Sequence, residues 1–216
     1  MLNKFRTAKT IFTHFGLRGI IIYITRLIIN KVENRSLIFA LSINSQIFES
    51  KPIPESHAFR TAAKEDFDTI LSDPQLKIRD RDVFAYKEGD QCLLHFYKNE
   101  LVGYSWIRLK QYSEITFGFH LNLPDSVAYN YNEFTLPYYR GRGFHKYRQM
   151  ALIDLATKFN KQYLLASVNH LNLKSIKAVK KSGYKHVGTF RYSFKREQVL
   201  FSLKMSQKFW KLHNHS

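Results

Sequence analysis

The order of predicted elements after residue 90 is the feature that most constrains the fold of this chain. Runs of alternating apolar residues and runs with apolar residues at helical spacing follow one another along the second half of the sequence. In order, they predict strands at 91–97, 101–109 and 126–136, a helix at 144–159, a strand at 163–168, a helix at 173–182 and strands at 187–194 and 199–205. From the third strand onward, the β-α-β-α-β-β order indicates an α/β layer structure with at least one parallel pair of strands.

The length and composition are sufficient for one well-packed domain with an extension before it. The chain has 216 residues, of which 44% are apolar. The segment Lys51-Pro52-Ile53-Pro54 is typical of a stiff connector. We therefore expect two regions: residues 1–50, a basic apolar helix followed by a strand at 35–44, and residues 51–216, which form the main folded domain.

Residues 15–30 form an apolar stretch that contains Arg18 and Arg26. Its uninterrupted apolar part is shorter than the roughly 20 residues that a membrane-spanning helix needs, and no cleavage pattern of a secretory signal follows it. The stretch is typical of a basic amphipathic helix that rests on an anionic bilayer. It is equally consistent with a helix docked on this protein's own domain or on a second subunit of a homodimer. We expect a cytoplasmic protein, with a peripheral position at the inner face of the membrane if the helix binds lipid.

The chain is strongly basic, since 34 Lys and Arg against 17 Asp and Glu give a formal net charge of +17. Such a surface attracts polyanions and anionic membranes without selecting one of them, and an ordinary solvated basic surface is the alternative interpretation. Cys92 is the only cysteine, so no intramolecular disulfide forms, and its place in a predicted strand indicates a small buried residue rather than a nucleophile. We expect no bound metal.

The segment Arg140-Gly141-Arg142-Gly143 lies between a predicted strand and a predicted helix. In this position several backbone N–H groups point at one spot, and the helix dipole adds positive potential there. The two glycines allow close approach of a ligand to the backbone, and the arginines, with His145, add charge and donors. The arrangement suits a pyrophosphate. A dinucleotide fingerprint and a P-loop are both excluded by the residues present, because Lys146 stands where the former needs its third glycine and the latter's Gly-Lys-Ser/Thr ending is missing.

The run Leu136-Pro137-Tyr138-Tyr139-Arg140-Gly141-Arg142-Gly143-Phe144-His145 resembles the acyl-CoA-binding motif of the GNAT N-acetyltransferase superfamily. That motif reads Arg/Gln-x-x-Gly-x-Gly/Ala after a strand that ends in a proline-containing bulge. The resemblance continues through Asn172-Leu173-Lys174-Ser175 to Ser182-Gly183-Tyr184, where the family has an Asn-x-x-Ser/Ala helix that ends in Gly-Phe. It covers residues 126–205 and, more loosely, the strands from Val83. It implies a mixed, largely antiparallel sheet with a central parallel strand pair flanked by helices.

The resemblance also implies a site for acetyl-CoA as the acyl-donor substrate. The strand edge would pair with the pantetheine, the glycine loop and the start of the helix would hold the pyrophosphate, and the second helix would contact the pantetheine or phosphate arm. The residues implied are Phe134, Thr135, Leu136, Arg140, Gly141, Arg142, Gly143, Phe144 and His145, with Asn172 and Ser175 on the second helix. The main-chain N–H near Leu136 would polarise the acyl carbonyl.

The catalytic residues follow from the need of an ammonium to lose a proton before its nitrogen attacks. Glu133, in the strand that leads to the bulge, is the candidate base, directly or through a water, and its alternative role is that of an exposed strand residue. Tyr129 and Tyr131 are candidate helpers. Two positions depart from the family pattern: His145 replaces a small residue and is expected to donate to the phosphate, and Val179 replaces the Tyr that many relatives carry as general acid.

The sequence therefore favours an acyl-CoA-dependent N-acetyltransferase that acts on an amine of a small molecule, such as an amino sugar or a glycolipid precursor. The alternative is a catalytically weak GNAT-fold protein that binds nucleic acid or an anionic membrane surface. Against nucleic acid, no recognised nucleic-acid motif is present. A transferase that uses aminoacyl-tRNA is a third hypothesis, disfavoured because such enzymes usually need two domains of this kind and the chain has room for one.

Overall fold

The computed structural model of this chain describes residues 12, 13, 16, 17, 21, 33–43, 52–76, 78, 80–109, 112–116, 119–193, 198–202 and 211–213. Four helices and eleven strands can be delimited within these residues, and residues 12, 13, 16, 17 and 21 are helical as well. They are β1 Glu33–Ser42, β2 His57–Thr61, α1 Asp66–Ser72, α2 Asp80–Lys87, β3 Gln91–Tyr97, β4 Glu100–Arg108, β5 Tyr112–Thr116, β6 Phe119–Asn122, β7 Val127–Thr135, α3 Phe144–Lys158, β8 Tyr163–Asn169, α4 Leu173–Lys181, β9 Lys185–Ser193, β10 Gln198–Ser202 and β11 Lys211–His213, with a 3-10 turn at Pro137–Tyr139 between β7 and α3.

The main sheet has eight strands in the order β10-β9-β1-β8-β7-β4-β3-β2, and β11-β6-β5 form a second, small sheet. Among the described strand pairs, β7 and β8 are the parallel pair and the others are antiparallel. A parallel pair needs a long crossover, and α3 provides it. The predicted fold class, a largely antiparallel sheet with one central parallel pair and flanking helices, is confirmed.

Strand β1 lies inside the main sheet rather than beside it. It pairs with β8 from Ser36↔Asn169 to Ser42↔Tyr163 and with β9 on its other side. Both of its edges are therefore occupied, and its buried residues Phe39 and Leu41 join the core. The strand predicted in the N-terminal region thus completes the sheet of the region that follows it, while the division of the chain at residue 50 stays a prediction.

The parallel pair separates at one end of the sheet. β7 and β8 are paired only from Val127↔Tyr163 to Asn130↔Ala166, although both strands continue, to Thr135 and Asn169. Beyond this point their facing edges are not paired with each other, which leaves an open cleft between them. We term this gap the β7–β8 cleft.

A bulge in β7 sets which side chains face each side of the sheet beside the cleft. On β4, Tyr104 and Trp106 are two residues apart, but their partners on β7, Phe134 and Tyr131, are three apart. Asn132 takes a φ of 47° in the left-handed region, as is usual for a bulged position. Because of the extra residue, Asn130 and Glu133 point to the same face of the sheet.

Helices cover both faces of the sheet. α3 and α4 pack on one face through Leu152, Ala156 and Val179, which are at most 7% exposed. α1 and α2 pack on the other face through Phe67, Ile70 and Ala85, against the fully buried Trp106 of β4. The burial of Val179 confirms that this position cannot supply an acid to the cleft.

Two local predictions differ from the structure. The spacing of Phe67, Ile70 and Leu71 predicts a helix from Thr61 to Ser72 with Thr61 as its cap. The helix begins only at Asp66, because Thr61 is paired with Leu93 in β2. α2, β2 and the small sheet were not predicted, since these segments are short and lack a clear apolar period. Within the described residues, no helix is both long enough and apolar enough to cross a membrane.

Candidate active site

The loop after β7 reverses the chain into α3 through two tight turns. The N–H of Tyr139 donates to the Leu136 carbonyl at 2.9 Å and the N–H of Arg140 donates to that of Pro137 at 3.3 Å. Gly141 and Gly143 then take φ values of 82° and 78°, in the left-handed region where residues other than glycine are strained. A Cβ at either position would meet nothing within 4 Å, so backbone conformation, not space, requires the glycines.

Five successive backbone N–H groups are available at the start of α3. Within the described part of the chain, those of residues 141–145 make no hydrogen bond, whereas the N–H of Lys146 donates to the Gly143 carbonyl at 2.9 Å. Free amides at a helix start, together with the helix dipole, form a site for an anion. We term the amides of residues 141–145 the donor cradle, and they include those of Arg142 to His145, which the resemblance to GNAT proteins implies as pyrophosphate ligands.

The two arginines of the loop are held by aromatic rings and carbonyl groups. Arg140 donates from Nε to the Thr135 carbonyl at 2.9 Å, and its guanidinium carbon lies 5.4 Å from the centre of the Phe134 ring. Arg142 lies over the Tyr138 ring at 4.8 Å. Both side chains are exposed and no carboxylate of the described residues lies within salt-bridge distance of them, so their charges are free to meet an anion.

The structure contradicts two details of the predicted pantetheine edge. The N–H of Leu136 donates to the Val102 carbonyl of β4 at 2.9 Å, so it is not available to polarise an acyl carbonyl. The Thr135 carbonyl accepts from Arg140, so pairing with pantetheine at this group would require the arginine to move. Both differences arise because residues 134–136 continue to pair with β4, and the sequence predicted both strands but not their pairing.

Asn172 and Ser175 lie at the start of α4, as predicted. The Asn172 side-chain oxygen accepts from the N–H of Ser175 at 3.2 Å, which makes Asn172 the N-cap of this helix. Because β7 and β8 are parallel, the helices that follow them begin at the same edge of the sheet. The structure therefore brings the donor cradle and the Asn172–Ser175 turn to the two sides of the β7–β8 cleft.

Glu133 is held in a network on the α3 face of the sheet. Its Oε2 lies 2.8 Å from His145 Nδ1, and its Oε1 accepts from Gln149 Nε2 at 2.5 Å and from the Asn130 amide. Gln149 in turn accepts from the Tyr184 hydroxyl at 2.7 Å. The carboxylate thus joins β7 to the first two turns of α3.

The same network makes Glu133 a weak base. Burial disfavours its ionised form, but the charge and hydrogen bond of His145, the charge of Arg148 and the amide of Asn130 outweigh this and lower the pKa of Glu133 to about 2. A base is most efficient when its pKa lies near the working pH. The role of Glu133 that the geometry supports is therefore to position His145 and α3, and its predicted role as base is not supported by this pKa.

His145 faces Glu133 through Nδ1, and its predicted contact with a phosphate stays a prediction. Its other ring nitrogen, Nε2, is buried and has no partner among the described residues. A neutral ring with its proton on Nδ1 offers a lone pair at Nε2, whereas the imidazolium offers a proton there. The predicted donation to a phosphate therefore needs a proton on Nε2.

Arg148 is a buried part of the site that sequence reasoning missed. Its side chain is 3% exposed, Nη2 donates to Thr135 Oγ1 at 2.8 Å and lies 3.9 Å from Glu133 Oε2, and Nε and Nη1 have no partner among the described residues. Burial lowers the pKa of Arg148 from its usual value. The available signal was its spacing, because residue 148 is four positions after Phe144 and so lies on the core face of α3.

A second polar cluster lies on the opposite face of β7. The Tyr131 hydroxyl donates to Asp90, and Arg108 Nε donates to the same carboxylate at 2.5 Å. Asp90 is only 1% exposed. Tyr129 contacts Ser167 of β8 through its hydroxyl at 2.6 Å, next to the point where the cleft opens, and burial raises the pKa of Tyr129. Both predicted helper tyrosines therefore lie beside the cleft, and Asp90 is a partner that no sequence signal had indicated.

Two further sequence features concern the single cysteine and the possibility of a metal site. Cys92 is fully buried. The described residues contain no group of three or more His, Cys, Asp or Glu side chains that could hold a metal ion.

Comparison with known proteins identifies the fold. No family model matches the sequence, and no curated protein matches it. Among solved structures, a GCN5-related N-acetyltransferase from Kribbella flavida is 10% identical with a TM-score of 0.51, over 85% of this chain and 64% of that one. A tandem GNAT protein from the clavulanic acid biosynthesis pathway is 11% identical with a TM-score of 0.51, over 71% of this chain and 50% of that one.

A third match is an acetyltransferase of the GNAT family from Novosphingobium aromaticivorans, at 10% identity and a TM-score of 0.50, over 74% of this chain and 62% of that one. In all three cases the match spans between half and two thirds of the length of the solved chain. The protein therefore has the fold of the GNAT acetyltransferases.

Proposed function

We propose that this protein is an N-acetyltransferase that takes its acyl group from a coenzyme A thioester and transfers it to an amine. The observation that carries the proposal is the donor cradle, five free backbone amides placed beside the open end of a parallel strand pair. Free N–H groups suit a pyrophosphate, and unpaired strand edges suit the amides of a pantetheine arm. The GNAT fold of the chain supports the same reading.

Acetyl-CoA would supply an activated thioester, and the residues of the chain would bind it, orient it and receive a proton. The donor cradle, with Arg140 and Arg142, would hold the diphosphate at the start of α3. Glu133 and Arg148 would fix α3 to β7, so that the cradle and the cleft keep one geometry. We propose that the proton leaves on the other face of β7, through the Tyr131 hydroxyl, which donates to Asp90.

For the acceptor we propose a small-molecule amine, with amino sugars and glycolipid precursors as the first candidates. This choice rests on the basic apolar N-terminal segment, in which Phe12, Leu17 and Ile21 are helical and 57–66% exposed. Exposed apolar side chains among basic residues suit an anionic membrane surface, where a glycolipid acceptor resides. A second copy of the chain could cover the same residues.

The decisive test of the donor is calorimetry with coenzyme A on the folded protein. Micromolar binding is expected, with a rise in melting temperature through linkage. Absence of heat, or stabilisation by nucleic acid alone, would refute the proposal and favour a nucleic-acid-binding protein. The acceptor is then sought by mass spectrometry of acetyl-CoA reactions with a panel of amino sugars.

The membrane contact has its own test. Deleting residues 1–30 stops before β1 begins at Glu33, so the sheet is retained. We expect the full chain to sediment with anionic vesicles and the truncated chain to stay in solution. Equal sedimentation of both would assign the binding to another surface, and a change from dimer to monomer without vesicle binding would assign the segment to a subunit interface.

A further inference from the structure

The positive charge of this protein is concentrated in one part of the chain. Residues 136–193 contain twelve Lys and Arg but only one acidic residue, Asp154, a net charge of 12 − 1 = +11 out of the total of +17. The other 158 residues contain 34 − 12 = 22 basic and 17 − 1 = 16 acidic residues, a net charge of only +6. An evenly basic composition does not explain this difference, because the excess lies in the segment that forms the donor cradle, α3, β8, α4 and β9.

Five of these twelve basic residues lie on an exposed surface formed by α4 and the start of β9. The helix has no acidic residue, and its lysines, with the first residue of β9, are all exposed: Lys174, Lys177, Lys180, Lys181 and Lys185. We term these five residues the basic face. Within the described part of the chain, none of them lies within 4.0 Å of a carboxylate, so the like charges are not neutralised by the protein itself.

The basic face extends beyond the place where a diphosphate would bind. The start of α4, at Asn172, faces the cleft, and the helix rises about 1.5 Å per residue. Lys181 therefore lies about 13 Å farther along the helix axis than Asn172, on the side away from the donor cradle. Besides the diphosphate at the cradle, coenzyme A has one further phosphate, on its ribose, which is too few for five lysines spread along the helix.

We propose that the basic face docks an acidic helix of a carrier protein, which presents the acyl group on a phosphopantetheine arm. This inference rests on the proposed function, since the arm would enter the same β7–β8 cleft and present the same thioester. In the transfer, the neutral acceptor nitrogen forms a bond to the acyl carbon, the carbon–sulfur bond breaks, and the proton that the nitrogen loses passes through water to the leaving thiolate, so that the thiol stays on the carrier.

A carrier protein fits the surface better than a nucleic acid does. Proteins that track single strands combine basic side chains with aromatic rings on which bases stack. The sequence of α4, LKSIKAVKK, supplies only the charges. The basic face begins near the β7–β8 cleft and continues along α4. Such a surface suits an acidic protein, because complementary charge accelerates encounter and selects the partner.

The experiment measures affinity, so that it does not depend on the acceptor. Dissociation constants of the wild type are measured for acetyl-CoA and for an acetylated acyl carrier protein of the acidic helical type, at low and at high salt. We expect the carrier to bind more tightly at low salt and to lose about tenfold or more as salt rises. The carrier without its pantetheine arm should retain the salt dependence with lower affinity.

The variant that tests the surface is Lys177→Glu with Lys181→Glu. It should weaken carrier binding at least about tenfold and change the affinity for acetyl-CoA less than about twofold. The matched control is Lys64→Glu with Lys87→Glu, two exposed lysines outside the basic part, of which Lys87, like Lys181, lies in the last turn of its helix. The control should leave both affinities unchanged, and circular dichroism reports folding of both variants.

Each outcome decides the question. Equal binding of the carrier by the basic-face variant and the wild type overturns the inference, as does equal weakening of carrier binding by the control. Binding of acetyl-CoA without binding of the carrier overturns it and leaves the proposed function intact. Failure to bind either donor refutes the proposed function itself. Binding of an RNA oligonucleotide that the basic-face variant loses, with no carrier binding, assigns the surface to nucleic acid.

Discussion

Glu133 Oε2 lies 2.8 Å from His145 Nδ1, and this contact joins the end of β7 to the first turn of α3. The two residues belong to the two halves of the proposed donor site, the strand edge and the cradle. Arg148 adds a second link, from α3 to the Thr135 hydroxyl. Side chains on the face of the main sheet that α3 covers therefore maintain the geometry of the site.

The substitution Glu133→Gln separates a positioning role from a role as base. Because the pKa of Glu133 is about 2 in the folded protein and ordinarily 4.5, the ionised side chain stabilises the fold above about pH 4.5, and this contribution is lost as pH falls toward 2. We expect the free energy of unfolding, measured by chemical denaturation at several pH values, to fall less in acid for the variant than for the wild type. The difference between the two losses should reach up to about 3 kcal/mol.

The same variant should keep the shape of the kcat profile between pH 6 and pH 9, because the charge of Glu133 does not change there. Its affinity for coenzyme A should fall several-fold, as the start of α3 loses its anchor. Glu55→Gln, at an exposed position, is the control. A fall in kcat of about a hundredfold or more, with unchanged coenzyme A affinity, would restore Glu133 as the base.

His95 should make the protein sensitive to mild acid. Its ring is fully buried, and burial, the charge of Arg148 and the neighbouring His57 lower its pKa from 6.5 to about 3. The unfolded chain binds a proton below pH 6.5 that the folded chain refuses, so stability is full above pH 6.5 and is lost progressively as pH falls toward 3.

Replacing His95 with Phe keeps a ring in contact with Phe59 and should flatten this part of the stability profile. It removes the 2.9 Å contact with His57, which lowers stability at neutral pH by about 1 kcal/mol. His186→Phe changes an exposed ring and should leave the slope as it is. Identical slopes between pH 6.5 and pH 3 for the wild type and the His95 variant would contradict the assignment.

Gly143 and Gly183 provide a matched pair for testing the donor cradle. Both glycines have φ near 80°, and an alanine at either position costs about 1 kcal/mol of backbone strain. Both alanine variants should therefore lower the melting temperature by a similar amount. Only Gly143 contributes to the cradle. Gly143→Ala should also weaken coenzyme A binding about tenfold or more, whereas Gly183→Ala should leave that binding intact. Equal affinities in calorimetry would show that the loop merely reverses the chain.

Gly103 should tolerate no side chain, because β7 approaches it closely. A Cβ there would lie 2.3 Å from the Phe134 carbonyl oxygen and 3.1 Å from Thr135 Cα, both of them backbone atoms. We expect Gly103→Ala to cost about 2 kcal/mol or more and to weaken coenzyme A binding through displacement of the strand edge. Ser105→Ala, on the same strand, removes a buried hydroxyl without a partner among the described residues and should be neutral or stabilising in thermal denaturation.

Much of the fold followed from local patterns. The alternating strands, the helices at Phe144–Lys158 and Leu173–Lys181 and the glycine loop were predicted within a few residues, because periodicity and turn residues act over short distances. The resemblance to GNAT proteins rested on the same local runs. The place of β1 between β8 and β9 was not predictable in this way, since strand order depends on partners more than a hundred residues apart.

The functional residues divide along the same line. The sequence by itself indicated the available backbone amides of the donor cradle, because glycine permits the left-handed conformation of this loop and a helix start leaves its first N–H groups without intrahelical partners. Only the tertiary structure decided that Leu136 is paired with Val102, that Glu133 is held by His145 and has a low pKa, and that Asp90 meets Tyr131. The reason is physical. The pKa of an ionisable side chain depends on its burial and on charges from distant parts of the chain, and the residues adjacent to it in the sequence reveal neither.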